Sequence, residues 1–235
     1  MRAILVSVDH ADLLNITLPY NRHHFEEVMV VTIPGDSSIQ VAQHNSASIF
    51  TTTAFYDDGA MFNKWKALEQ GLDAFGRHGW LCLMDADILW PKNAFLEPNM
   101  GHLYTPLRRM LYDIHNIPQE EEWKKLPIHR NIAEWAGYSQ IFHAEDVHLG
   151  QPPWHQINWR HAGGADSFFQ LKWPTTCKIR PSWEVLHLGQ SGVNWCGRST
   201  PYLDGSIHVQ SQKRQEQLRK FIRSRRKTGY EKEKL

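Results

Sequence analysis

The 235-residue sequence is short of cysteine, of long apolar runs and of net charge. Its three cysteines, Cys82, Cys177 and Cys196, are odd in number and far apart. That suits neither a disulfide framework nor a zinc site and predicts a reducing, cytoplasmic setting. No stretch approaches the roughly 18 apolar residues of a membrane span. The apolar opening, residues 1–6, is too short for a signal peptide and reads as a first strand. A net charge of +1 excludes a generic polyanion binder, but the charge is uneven. Residues 213–235 hold ten Lys/Arg against three Glu, a net of +7, which leaves −6 on the preceding 212. There is no internal repeat and no low-complexity linker. These absences leave one large domain, residues 1–212, followed by a basic C-terminal helix or tail, residues 213–235.

What is present is ordinary core material, 41% hydrophobic and 22% charged. Runs 3–8 and 28–33 are β-rich, and 48–53 carries a shorter such run. Met61, Trp65, Leu68, Leu72 and Phe75 recur at helical spacing, and Gly76 and Gly79 end that helix. The apolar run 80–84 follows. Strand and helix thus alternate through the first 90 residues, which predicts a mostly parallel, helix-covered sheet. Further strands are expected over 137–143 and 183–188, a helical segment over 165–171 and a basic helix over 210–228. The chain has ten Trp and fourteen His, and five of the Trp fall between residues 154 and 195. That region could form a flat, hydrogen-bonding ligand surface, or simply supply core.

The most informative feature is Asp85-Ala86-Asp87, which closes the buried strand and opens into Ile88-Leu89-Trp90-Pro91. Side chains alternate along a strand, so Asp85 and Asp87 point the same way and repel each other. A hard divalent cation, Mg2+ or Mn2+, is the simplest neutraliser. Ligands of open α/β sheets also bind just outside the carboxyl ends of strands. The same triplet can merely cap a turn.

Taken with this layout, the triplet resembles the Asp-x-Asp metal motif of the GT-A class of nucleotide-sugar glycosyltransferases, over roughly residues 3–198. The resemblance implies a Rossmann-like α/β fold that uses a nucleoside-diphosphate-sugar, by family habit a UDP-sugar. Asp85 and Asp87 would hold the metal, and Asp85 also the donor. The metal would neutralise charge building on the departing diphosphate. At the ends of the first strands, Asp9 and Asp36 would contact ribose or base; Asp36 equally suits a turn cap. Phe62-Asn63-Lys64 looks like the helix-opening element of related transferases, with Asn63 and Lys64 near the diphosphate. Gly163-Gly164-Ala165-Asp166 looks like the acceptor-side element, Asp166 being either the general base or a helix cap. Relatives often carry an acidic residue before that Asp, where this chain has Ala165. His187 matches a third metal ligand near a late strand end. In Asn194-Trp195-Cys196-Gly197-Arg198, Trp195 would cover the sugar and Arg198 clamp the diphosphate.

Two other function classes compete. A haloacid-dehalogenase-type phosphatase also uses strand-Asp-x-Asp, but normally on its first strand rather than 80 residues in. A non-catalytic nucleic-acid-binding protein would use the basic C-terminus and the Trp/His-rich stretch. Within the enzyme reading, that C-terminus could contact DNA and hold a polyanionic acceptor such as modified DNA bases. A glycan acceptor, a lipid-linked sugar at a membrane surface or a plain solvated terminus fits the same charge.

Overall fold

The computed structural model describes residues 1–129, 135, 137–190 and 192–227. In chain order the elements are β1 (Arg2–Val6), α1 (Ala11–Asn21), β2 (Glu27–Thr32), α2 (Ser38–His44), β3 (Ser48–Thr51), α3 (Lys64–Phe75), β4 (Trp80–Asp85) and β5 (Ile88–Leu89). Then follow β6 (Leu103–Tyr104), β7 (Leu107–Leu111), α4 (Glu120–Trp123), β8 (Ser139–His143), α5 (Ala165–Phe169), β9 (Lys178–Ile179), β10 (Glu184–Leu188) and α6 (Val209–Lys227). The main sheet runs β3-β2-β1-β4-β8-β6-β9. Its first four strands are parallel, while β8 is antiparallel to both β4 and β6. A second sheet runs β5-β10-β7 and grows from the end of β4.

The apolar strands are buried on both faces, as a parallel sheet requires. One face of β1, β2 and β4 presents Ile4, Val6, Met29, Val31, Leu81 and Leu83 to Trp65, Leu68 and Leu72 of α3. The other presents Ala3, Leu5, Val28, Val30, Cys82 and Met84 to Leu14 and Leu18 of α1 and Ala42 of α2. Helix α3 therefore has the amphipathic stripe that the sequence predicts. Asn63 caps its start by accepting from Lys66 N at 3.0 Å, and Gly76, at φ 86°, lets the chain leave it. The second sheet covers its own small core of Leu89, Leu111, Leu186 and Leu188.

The strand order reverses at β1: β2 and β3 lie on one side and β4 on the other. The crevice between the carboxyl ends of β1 and β4 is thus a topological switch point, where open α/β sheets bind ligands. Three expectations change. Strand β4 ends at Asp85, so Ala86 and Asp87 form a turn and alternation does not govern Asp87. Helix α2 and the strands of the second sheet before β10 were not foreseen. The expected boundary at residues 212/213 falls inside α6, which starts at Val209. Among the described residues, no helix is long and apolar enough to cross a membrane.

Candidate active site

Asp85 and Asp87 stand at this crevice but have different surroundings. Asp85 is half-buried and paired with the ammonium of Lys64, the first residue of α3. Lys64 Nζ also lies 5.0 Å from the centre of the Trp65 ring. Asp87 is buried, and one carboxylate oxygen sits 3.7 Å from Nε2 of His187, itself 4% exposed. The other Asp87 oxygen and Nδ1 of His187 are buried without a hydrogen-bond partner. Buried polar groups are normally satisfied, so the unpartnered Asp87 oxygen marks a place beside the carboxylate for a cation.

A divalent cation fits that place. Carboxylate oxygen and imidazole nitrogen suit Mn2+, and Mg2+ or Mn2+ commonly takes its remaining ligands from water and substrate phosphates. Among the described residues no preformed cluster of three or more His, Cys, Asp or Glu ligands exists. Asp87 and His187 alone would leave most positions of such an ion to other ligands.

His10, at the start of α1 in the segment that follows β1, is a neighbour the sequence reading missed. Its Nδ1 lies 2.7 Å from Val8 O, and its Nε2 lies 3.5 Å from Nδ2 of Asn194. Burial and the Arg198 charge hold it below the ordinary histidine value, against an upward pull from Asp87. At neutral pH it is therefore an uncharged imidazole, donating from Nδ1. Its position right after Asp9 at a strand end was the available signal.

The acceptor-side element is joined to Asp85 through two residues. Asp166 accepts from Gly137 N at 2.8 Å, and Asp85 N donates to Tyr138 O at 3.0 Å. Gly137 is required for this closeness, because a Cβ there would lie 2.8 Å from Asp166 Cβ and 3.1 Å from the Trp65 ring. The second Asp166 oxygen accepts from Ser167 N. Trp195 lies against Gly163, where an added Cβ would come within 2.4 Å of the indole. Trp195 O also accepts from Ala162 N at 2.8 Å. The structure thus brings Asp85, Lys64, Asp87 and His187 to the crevice, and brings Trp195 onto the glycines that lead to Asp166.

Four other expected residues have architectural occupations. Asn63 caps α3 and donates to Ile157 O at 2.7 Å. Asp36 accepts from Asp9 N at 2.8 Å, which ties the ends of β1 and β2 together, and from Ser38 N at 2.7 Å, at the start of α2. Asp9 itself, at φ 59°, directs a carboxylate oxygen to 3.7 Å from Nε2 of His208. Arg198 is fully buried: it pairs with both oxygens of Asp12 and donates to the carbonyls of Asp9, Thr200 and Pro201. A diphosphate contact would require it to leave these partners. Burial pushes the Asp12 carboxyl up, but the Arg198 and Leu203 hydrogen bonds hold it below its ordinary value on balance.

No family model matches the chain, and no curated protein does. Among solved structures the chain is similar to GalNAc-T7 crystallised with UDP, GalNAc and Mn2+, at 15% identity and a TM-score of 0.55. That match covers 89% of this chain and 46% of the other, so this chain spans less than half of that enzyme. It is also similar to the inositol-1-phosphate CTP transferase of T. maritima, at 10% identity and a TM-score of 0.50, covering 81% of this chain and 89% of that one. With its mostly parallel seven-stranded sheet and flanking helices, the chain has a GT-A-type fold.

Proposed function

We propose that this protein is a metal-dependent glycosyltransferase that moves a sugar from a nucleoside-diphosphate donor, most simply a UDP-sugar, to an acceptor hydroxyl. The observation that carries the reading is the buried Asp87–His187 pair, with an orphaned oxygen and nitrogen, at the switch point of the sheet. Asp87 and His187 would hold Mn2+ or Mg2+, with Asp85 on its edge. The ion, when bound, supplies positive charge to the diphosphate oxygens that become the leaving group. Lys64 keeps Asp85 neutralised beforehand and is free to turn to a phosphate once donor is bound. Trp195 shields the sugar side from water. Asp166 orients or deprotonates the acceptor hydroxyl from the first turn of α5. The three free thiols suit a cytoplasmic, reducing setting.

Calorimetric titration of UDP, GDP and their sugars, with and without Mn2+, tests the donor half. Metal-dependent binding of one nucleotide, lost in Asp87→Ala, is the expected outcome. No binding of any nucleotide with metal present would sink the reading. The CTP transferase likeness gives a second reading on the same fold, nucleotidyl transfer. Release of pyrophosphate rather than a nucleoside diphosphate would select it.

A further inference from the structure

The second sheet carries a row of basic side chains that leads away from Asp87. In β10, His187 is in register with Met110 of β7, and Val185 with Arg108. The outer edge of β7 pairs with an extended segment: Arg109 bridges Ile128, Met110 N donates to Pro127 O at 2.9 Å, and His129 N donates to Arg108 O at 3.1 Å. Register partners share a face, and so do residues two apart on one strand. His187, Arg108 and His129 therefore lie on one face, while Arg109 and Glu184 pair on the opposite face, at 2.6 and 3.0 Å. The Arg108 guanidinium lies 4.4 Å over the ring of Tyr138, the residue whose carbonyl holds Asp85 N. The row is thus anchored to the site itself.

Apart from its stacking on Tyr138, the Arg108 side chain has no hydrogen-bond or ion-pair role among the described residues. Among the described residues no carboxylate lies within ion-pair distance of it, and its Nε is buried with no hydrogen-bond partner. Arg109, its neighbour on the other face, has two bonds to Glu184 and one to Leu126 O. A guanidinium left with a buried, unpaired donor beside an imidazole is poised for an oxyanion, which it can bind with two parallel N–H bonds. Burial, then the charges of Arg108 and His187, hold His129 below its ordinary value, consistent with three groups in mutual electrostatic reach.

The row runs along β10 and β7 of the second sheet, whereas β1 and β2 belong to the main sheet. We infer that Arg108 and His129 form an oxyanion subsite for the acceptor, so that the molecule receiving the sugar carries a phosphoryl group. This rests on the glycosyltransferase reading for the word acceptor. A bound phosphoryl group would satisfy Arg108 Nε.

The test is an NMR titration of the full-length, 15N-arginine-labelled protein with inorganic phosphate, with and without UDP and Mn2+. The Arg108 Nε–H signal, identified by its loss in Arg108→Lys, is expected to shift saturably with phosphate both with and without UDP. Arg108→Lys is expected to weaken phosphate binding by about tenfold or more, because lysine lacks the planar fork. UDP affinity should be unchanged in that variant, and His129→Gln should weaken phosphate without altering UDP. An Arg108 signal that ignores phosphate overturns the subsite. So does phosphate competition by UDP with equal loss of UDP affinity in Arg108→Lys, which would make Arg108 part of the donor pocket. Phosphate binding at Arg108 in a protein that binds no nucleotide overturns the proposed function and leaves the oxyanion subsite standing.

Discussion

At Asp85 the carboxylate already has a cation in Lys64, whereas Asp87 has only an imidazole edge and an unpaired oxygen. A metal arriving alone must compete with Lys64 for Asp85. Lys64→Met is therefore expected to tighten binding of free Mn2+ several-fold, read by the paramagnetic resonance of unbound ion. The same variant should weaken UDP in the presence of Mn2+, since a diphosphate would lose the ammonium as partner. Unchanged Mn2+ affinity would show that Lys64 does not guard the site. The sequence made the type and spacing of these carboxylates legible. It hid their difference, because that difference comes from where β4 stops and from His187, which is a hundred residues away in the chain. Arg198 was misleading for a related reason. It was expected to clamp a diphosphate, yet Asp12 sits opposite and anchors it.

Helix α3 links the site to the core through Glu69. This buried carboxylate accepts from Trp154 N and His155 N at 3.0 Å each, from His155 Nδ1 at 2.5 Å and from Arg77 at 2.8 Å. The His155 ring is stacked between Trp65 and Phe169, centre to centre 4.9 and 4.2 Å. Burial pushes the Glu69 carboxyl up, but the His155 bond and charge and the Arg77 charge bring it below its ordinary value. A depressed carboxyl stabilises the fold above its unfolded value, near pH 4, and loses that contribution as pH falls through the folded one. Glu69→Gln is expected to cost about 3 kcal/mol at pH 7, because Arg77 and backbone donors lose a charged acceptor. Urea unfolding at pH 7 and pH 4 should show the variant less acid-sensitive than the parent. An equal pH dependence would mean that other carboxylates control acid stability. Gly163→Ala tests the neighbouring element, since its Cβ would overlap the Trp195 indole. Displacement of Trp195 should change tryptophan fluorescence and cost about 1–3 kcal/mol. Periodicity revealed α3 and β4 because both are amphipathic or wholly apolar. It missed β5, β6 and β9, which are two residues each and whose existence depends on partners rather than on local pattern.

Over the whole molecule, the basic C-terminal segment is partly built into the α/β domain. Gln215 accepts from Cys196 N at 3.2 Å, Gln212 donates to Ser199 O at 3.2 Å, Arg214 donates to Met61 O at 3.0 Å, and Leu218 is buried. Helix α6 thus holds the loop that carries Trp195. Deleting residues 209–235 is expected to lower the melting temperature and to make Cys196 reactive toward a thiol reagent. In the intact protein Cys196 is fully buried and its thiol is pushed up to about 11. A Cys196 that stays unreactive after deletion would show that α6 does not support the loop. Asp12 and Arg198, 186 positions apart, lock the same loop to the first helix. Loop-closure entropy has to be overcome before so distant a contact contributes anything, and contacts of this kind slow folding. The parallel strands can therefore assemble while the crevice is still open on one side. Regain of nucleotide binding during refolding should lag behind regain of secondary structure, which would make ligand capture the last event of folding.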